Sequence, residues 1–187
     1  IYHEIDNAED YIKEAISLSP KNKWYHYELL SIYAASNNLK DQLNTYYNLL
    51  EIDPGNNFYF LEIIRILTEL KDYKEAIRLI KKREKKTGKS NEHLLALKDI
   101  YIAQKNLKEA EKIGKKLTQR SHIFYNDLAE IYMYFNDYEN AIKAYNQLLE
   151  AYPNNATAII ALYTIYSNKK DIKNQEKCLW KIGSSDE

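Results

Sequence analysis

The chain has 187 residues, 45% apolar and 29% charged, and its 27 basic and 27 acidic side chains cancel. That balance excludes a disordered polar chain, and no run reaches the roughly 18 uncharged apolar residues of a membrane-spanning helix. The single cysteine, Cys178, excludes an internal disulfide framework and a multi-cysteine zinc site.

Valine is absent, and there are only four glycines and three prolines. A β-sandwich or parallel sheet is not built from such material. Eighteen tyrosines instead suit helix–helix seams, where the ring packs and the hydroxyl stays near water. Ile1 begins mid-pattern with neither a basic nor an apolar leader, so no signal peptide is expected in this stretch.

The predicted elements repeat. Residues 1–22 place Ile5, Ala8 and Ile12 at helical spacing and end in AISLSPKN, which reads as the second half of a truncated unit. A first full unit, 23–56, ends in LLEIDPGN, and Pro54 stands 34 residues after Pro20. The next units are 57–90, a shortened 91–121 without its proline, 122–155 ending in LLEAYPNN with Pro153, and 156–187. Fixed-period self-similarity marks a repeat architecture.

Each unit holds apolar or aromatic residues at the same places. The fourth place carries His26, Phe60, Leu94, Tyr125 and Ile159; the seventh Leu29, Ile63, Leu97, Leu128 and Leu162; the eleventh Tyr33, Leu67, Tyr101, Tyr132 and Tyr166. After a polar turn (SNN at 36–38, KD at 71–72, QKN at 104–106, FND at 135–137, NKK at 168–170) the pattern resumes. The seventeenth place then carries Leu39, Tyr73, Leu107, Tyr138 and Ile172, and the twenty-fourth Tyr46, Ile80, Gly114, Tyr145 and Leu179. Spacings of three, four and seven put these residues on one face of each of two helices, so every unit is a helical hairpin. Ala76, Ala110 and Ala141 at the twentieth place allow close approach. Gln42 and Gln175 there, and Leu30, Ile64, Lys98 and Tyr163 at the eighth, predict wider or shifted packing, with a bend between the third and fourth units.

This pattern resembles the tetratricopeptide repeat family, whose signature is W-x2-L-G-x2-Y…A-x3-F…P. Residues 122–155 match it best, through Tyr125, Leu128, Ala129, Tyr132, Tyr138, Ala141, Tyr145 and Pro153. The Lys-, Asn-, Ile- and Tyr-rich usage is similar to extracytoplasmic tetratricopeptide proteins of Bacteroidota. The resemblance implies an all-α, right-handed superhelical solenoid whose first helices line a concave groove. It places Trp24, Tyr27, Phe58, Leu61, Arg65, Glu69, Asp99, Asn126, Glu130 and Tyr134 on that groove, aromatic first and acidic later. Such a surface suits a protein or peptide partner with apolar anchors and a basic segment. The places where the family clamps an acidic chaperone tail hold Tyr27, Ser31, Glu62, Glu92 and Ala96 here, so that ligand is not expected.

Charge is uneven. Residues 71–120 carry 16 basic and 7 acidic groups, against 5 and 11 before them and 6 and 9 after. Lys81, Lys82, Arg83, Lys85, Lys86, Lys115 and Lys116 sit at the ends of second helices, where cations complement the helix dipole. The bland reading is a solvated basic face; the functional one is a docking patch for an acidic partner or an anionic membrane surface. Nucleic acid is not expected, because the groove places are apolar and acidic.

No cofactor or enzyme activity is expected. His3, His26, His93 and His122 lack metal-ligand spacing, and His26 stands at a packing place. Cys178, flanked by Leu179, reads as a buried structural thiol. Neither a phosphate loop nor a nucleophile elbow is present. The sequon Asn155-Ala156-Thr157 falls at a unit junction. The expected function is a non-enzymatic scaffold or adaptor, with the periplasm or cell envelope favoured over the cytoplasm. A peptide-sensing regulatory domain and a substrate-recruiting arm of an enzyme are the alternatives. The truncated first repeat and the SSDE end predict that the array continues beyond both ends.

Overall fold

The computed structural model describes residues 2–183, with side chains described from Ala8 to Lys181. His3, Ile5 and the SSDE run lie outside the described side chains. The chain forms eleven helices among the described residues: α1 (Tyr2–Leu18), α2 (Lys23–Ala35), α3 (Leu39–Ile52), α4 (Asn57–Glu69), α5 (Tyr73–Thr87), α6 (Asn91–Ala103), α7 (Leu107–Thr118), α8 (Tyr125–Tyr134), α9 (Tyr138–Ala151), α10 (Ala156–Asn168) and α11 (Ile172–Gly183). A 3-10 turn, His122–Phe124, leads into α8.

Five hairpins share one turn. The second residue after each first helix adopts a left-handed conformation: Asn37 (φ 51°), Lys71 (62°), Lys105 (56°), Asn136 (60°) and Lys170 (56°). The next residue donates its N–H back across the helix end, as Asn38 does to the Tyr33 carbonyl (2.8 Å) and Asp137 to that of Tyr132 (2.8 Å). This double closure satisfies carbonyls that a helix terminus otherwise leaves open. The same residue caps the second helix: Asn38, Asp72, Asn106, Asp137 and Asp171 each accept the backbone N–H three residues on. One residue therefore ends one helix and begins the next, which fixes the hairpin angle in every unit.

The chain divides into two compact units, Ile1–Gly88 and Lys89–Glu187. Gly88, at φ 82°, ends α5. In the first unit consecutive helices from α1 to α5 pack on one another, around Leu49, Ile63, Ile66 and Ile80, all fully buried. In the second, α6 to α11 do the same around Ile131, Tyr132, Tyr145, Leu148, Ile159, Leu162 and Ile165. The five seventh-place residues are buried throughout. Ala76, Ala110 and Ala141 have no exposed surface, as close approach of paired helices requires.

Several departures have particular causes. Gln42 is buried, and its amide donates to the Tyr33 carbonyl (3.0 Å); Gln175 does the same to Tyr166 (3.2 Å). The amide fills the space an alanine leaves and binds the helix end. In the shortened third hairpin, a Cβ on Gly114 would lie 2.8 Å from Leu128 Cδ1 and 2.9 Å from Ile131 Cδ1. Only glycine lets α7 sit this close to α8, and these two hairpins belong to one compact unit. Leu179, expected to face inward, is 53% exposed, while its neighbour Cys178 is buried. The twenty-fourth place packs on the first helix of a following hairpin, and none follows α11 among the described residues. Ala8 is exposed for the converse reason, since no first helix precedes α1 among the described residues.

Candidate functional site

In the first unit the exposed face of α2 and α4 carries connected rings. Trp24 meets Tyr27 edge-on at 5.9 Å between centroids, and Tyr27 lies 6.5 Å from Tyr59. Phe58 packs on Tyr59 (6.1 Å) and on Tyr46 of α3 (6.3 Å), which itself lies 6.4 Å from Tyr59. The Tyr27 and Tyr59 hydroxyls share a short hydrogen bond. Burial, followed by that bond, pushes the Tyr59 phenol up to about 12. Lys23 reaches the Tyr59 ring at 6.0 Å while pairing with Asp53 at 2.7 Å.

The exposures separate scaffold from surface. Tyr59 is buried and Tyr27 about one-third exposed, whereas Trp24 is 74% and Phe58 60% exposed. The two outer rings are thus presented on an inner tyrosine pair that cannot move away. Presented aromatics with little conformational freedom to lose are the side chains that dominate protein interfaces. Tyr59 and Tyr46 are part of the arrangement although the sequence did not single them out as groove residues. Their signal was an aromatic run, Phe58-Tyr59-Phe60, in which helical spacing can turn only some rings inward.

Leu61 is half-buried beside this face. Arg65 lies between Glu62 (2.9 Å) and Glu69 (2.5 Å) on its own helix. Burial works against its charge, but the two carboxylates hold the guanidinium more firmly protonated. Arg65 and Glu69 are therefore an internally matched set.

The second unit gathers charge instead. Lys98 occupies the family's small eighth place and is buried, with Nζ 2.7 Å from Asp127, 3.5 Å from Asp99 and 3.9 Å from Glu130. Burial opposes the charge on Lys98, yet the bond to Asp127 and the nearby carboxylates raise its pKa. Asn126 donates to Glu130 at 2.7 Å. Asp99, Asn126 and Glu130 are thus brought together around a lysine and an aspartate that sequence reading missed as a pair. Tyr134, half-exposed, stands edge-on to Phe135 at 5.1 Å.

The basic residues also separate. Lys81, Lys82, Lys85 and Lys86 are exposed on the last turns of α5, but Arg83 stacks on the Phe60 ring at 4.4 Å and is drawn in. In the second unit Lys115 pairs with Glu111 (2.5 Å), and Lys116 is exposed. His26 is buried, its Nε2 donating to the Pro20 carbonyl at 2.9 Å. Asn155, the sequon asparagine, caps α10 at the Ala158 N–H. Burial pushes the Cys178 thiol up, away from the reactive thiolate. Among the described residues no group of His, Cys, Asp and Glu could hold a metal ion, and no helix is long and apolar enough to cross a membrane.

These hairpins, repeated in register with identical turns, define a helical-repeat protein. The tetratricopeptide repeat family model matches residues 122–155. No curated protein matches the chain by sequence. A tetratricopeptide repeat protein from Parabacteroides merdae superimposes with a TM-score of 0.64 at 19% identity, covering 98% of this chain and 73% of that one. PilW, a type IV pilus biogenesis factor, gives 0.63 at 15% identity, with 97% and 86% covered. MamA gives 0.55 at 19% identity, with 82% and 94% covered. The chain thus carries a tetratricopeptide repeat at residues 122–155 and shares the fold of tetratricopeptide repeat proteins. Tetratricopeptide repeats are protein-interaction scaffolds, whose ligands are proteins or peptides.

Proposed function

We propose that this chain is a non-enzymatic adaptor that seats a protein partner on the aromatic face of α2 and α4. The observation that carries the reading is the pairing of exposed Trp24 and Phe58 with a hydrogen-bonded support of partly exposed Tyr27 and buried Tyr59. A partner segment with apolar anchors fits there. The carboxylates around Lys98 in the second unit form a set of their own, one cation and three anions, which is net acidic and suits a basic segment. The setting we propose is a bacterial cell-envelope assembly. The likeness to PilW, a type IV pilus biogenesis factor, motivates that setting.

The test is a cross-linking pull-down of the full-length tagged protein from its own cells, beside a Trp24→Ala/Phe58→Ala variant. Both side chains are exposed, so helicity should not change. Loss of two such anchors should weaken a partner by about 30-fold or more. A partner retained at equal yield by the variant would overturn the assignment of this face.

A further inference from the structure

A second recess lies on the opposite set of helices. In the first unit α3 and α5 leave a cleft of about 300 Å3 over α4. Leu50, Phe60 and Leu79 supply its apolar lining, and Lys82, Arg83 and Lys86 stand at its rim. The recess itself is a product of the repeat. In the second unit α9 and α11 leave an equivalent space of about 260 Å3 over α10, where Leu149, Leu162 and Cys178 hold the places of Leu50, Ile63 and Leu79.

What distinguishes the first cleft is its rim. The Arg83 guanidinium lies over the Phe60 ring at 4.4 Å and makes one long bond, 3.4 Å, to the Gly55 carbonyl. Among the described residues its other N–H donors have no hydrogen-bond partner, and the ring beneath holds the guanidinium in place. Burial lowers its pKa, so the charge is held without compensation. Among the described residues no carboxylate forms an ion pair with Lys82, Arg83 or Lys86, whereas Arg65 has two such partners and Arg78 and Lys115 one each. Three unpaired cations at an apolar recess complement a ligand that is apolar at one point and anionic around it.

We propose that this cleft is a second docking site, separate from the aromatic face, for a short acidic segment of a protein partner bearing one bulky apolar side chain. The side chain rests on Leu50, Phe60 and Leu79. A neighbouring carboxylate takes the Arg83 fork in bidentate fashion, and others meet Lys82 and Lys86. The space is at the small end of the roughly 300–1,000 Å3 range of ligand pockets, which suits an anchoring side chain rather than a long acyl chain. A flat membrane surface would engage Lys81 and Lys85 as readily and would have no use for the cleft. With this site the chain can hold two proteins at once, one on each set of helices.

The test pans a random dodecapeptide display library against the whole chain. The strongest peptide is then titrated, fluorescently labelled, into wild type, Lys82→Gln/Lys86→Gln and Trp24→Ala. The proposal expects enriched peptides with a large apolar residue among Asp and Glu, about tenfold weaker binding by the double variant, and unchanged binding by Trp24→Ala. Peptides without that pattern, equal affinity for the double variant, or loss of binding in Trp24→Ala would each overturn it. So would an empty selection accompanied by binding of phosphatidylglycerol vesicles through the same lysines. The Trp24→Ala arm keeps this outcome distinct from failure of the aromatic-face adaptor.

Discussion

Replacing Lys98 with Met should destabilise the second unit by about 2 kcal/mol. Lys98 is only 8% exposed, and its Nζ lies 2.7 Å from an Asp127 side chain that is itself 19% exposed. Removing the cation leaves Asp127 shielded from water beside Glu130, with no compensating charge. Breaking a fully buried pair costs about 3–5 kcal/mol and losing a charge-assisted hydrogen bond about 1.5–3. The remaining exposure of Asp127 places this case at the lower end. Asp127→Asn should cost less, about 1 kcal/mol, because Asp99 at 3.5 Å and Glu130 at 3.9 Å still face Lys98. The double variant removes both charges together, and its cost should fall short of the sum by about 1–2 kcal/mol. Urea unfolding followed by circular dichroism, with hydrogen exchange read at α6 and α8, measures all four proteins. Strict additivity, or a more stable Lys98→Met single variant, would refute the reasoning that the pair is coupled and shielded.

Four further outcomes follow from named contacts. Gly114→Ala gains up to about 1 kcal/mol of helix propensity but drives a methyl against the buried Leu128 and Ile131 tips, an overpacking cost of about 1–3; a net loss of about 1 kcal/mol is expected in urea titration, and a gain would mean that α7 and α8 can part. Lys105→Gly should stabilise by about 0.5 kcal/mol, because the left-handed penalty of about 1–2 outweighs the entropy of a glycine in the unfolded chain; a lower urea midpoint would contradict it. Leu128→Ala should cost about 3 kcal/mol from a buried site, whereas exposed Trp24→Ala should leave unfolding unchanged; equal losses would mean the faces are misassigned. The raised Tyr59 phenol stabilises the fold fully below its ordinary value of 10, and that contribution is lost as pH climbs from 10 to about 12. Tyr132 is displaced in the same direction, by burial and then by its bond to Glu111. Stability read by circular dichroism should thus decline across that alkaline window, and a flat profile there would show that neither phenol is held neutral.

The hairpin periodicity was legible because burial at a single place recurs. Leu29, Ile63, Leu97, Leu128 and Leu162 stand at one spacing, and all five are buried. The turns were legible as polar stretches, but their shared device was not drawn from the sequence. Asn38, Asp72, Asn106, Asp137 and Asp171 each close one helix and cap the next. Contacts between hairpins were the hard part. Lys98 read as a misfit at a small place, since its partner Asp127 lies in the next hairpin and only lateral packing joins them. Arg83 read as one of a row of surface cations for a different reason, since its ring partner Phe60 lies 23 residues away on the other helix of the same hairpin. Gln42 suggested loose packing, yet its amide closes the gap with a hydrogen bond that size alone does not foretell. Which rings of an aromatic run turn outward depends on how α2 sits on α4, and that placed Trp24 and Phe58 in solvent with Tyr59 beneath them.

The most direct test of the adaptor reading is photo-cross-linking from position 24 in living cells, with a benzophenone amino acid in place of Trp24 and a second probe at the exposed Lys40 of α3. The account predicts one protein cross-linked in high yield from position 24 and not from position 40, and its loss when Phe58 is changed to Ala. The same protein captured equally from both positions, or no protein captured from position 24, would contradict it.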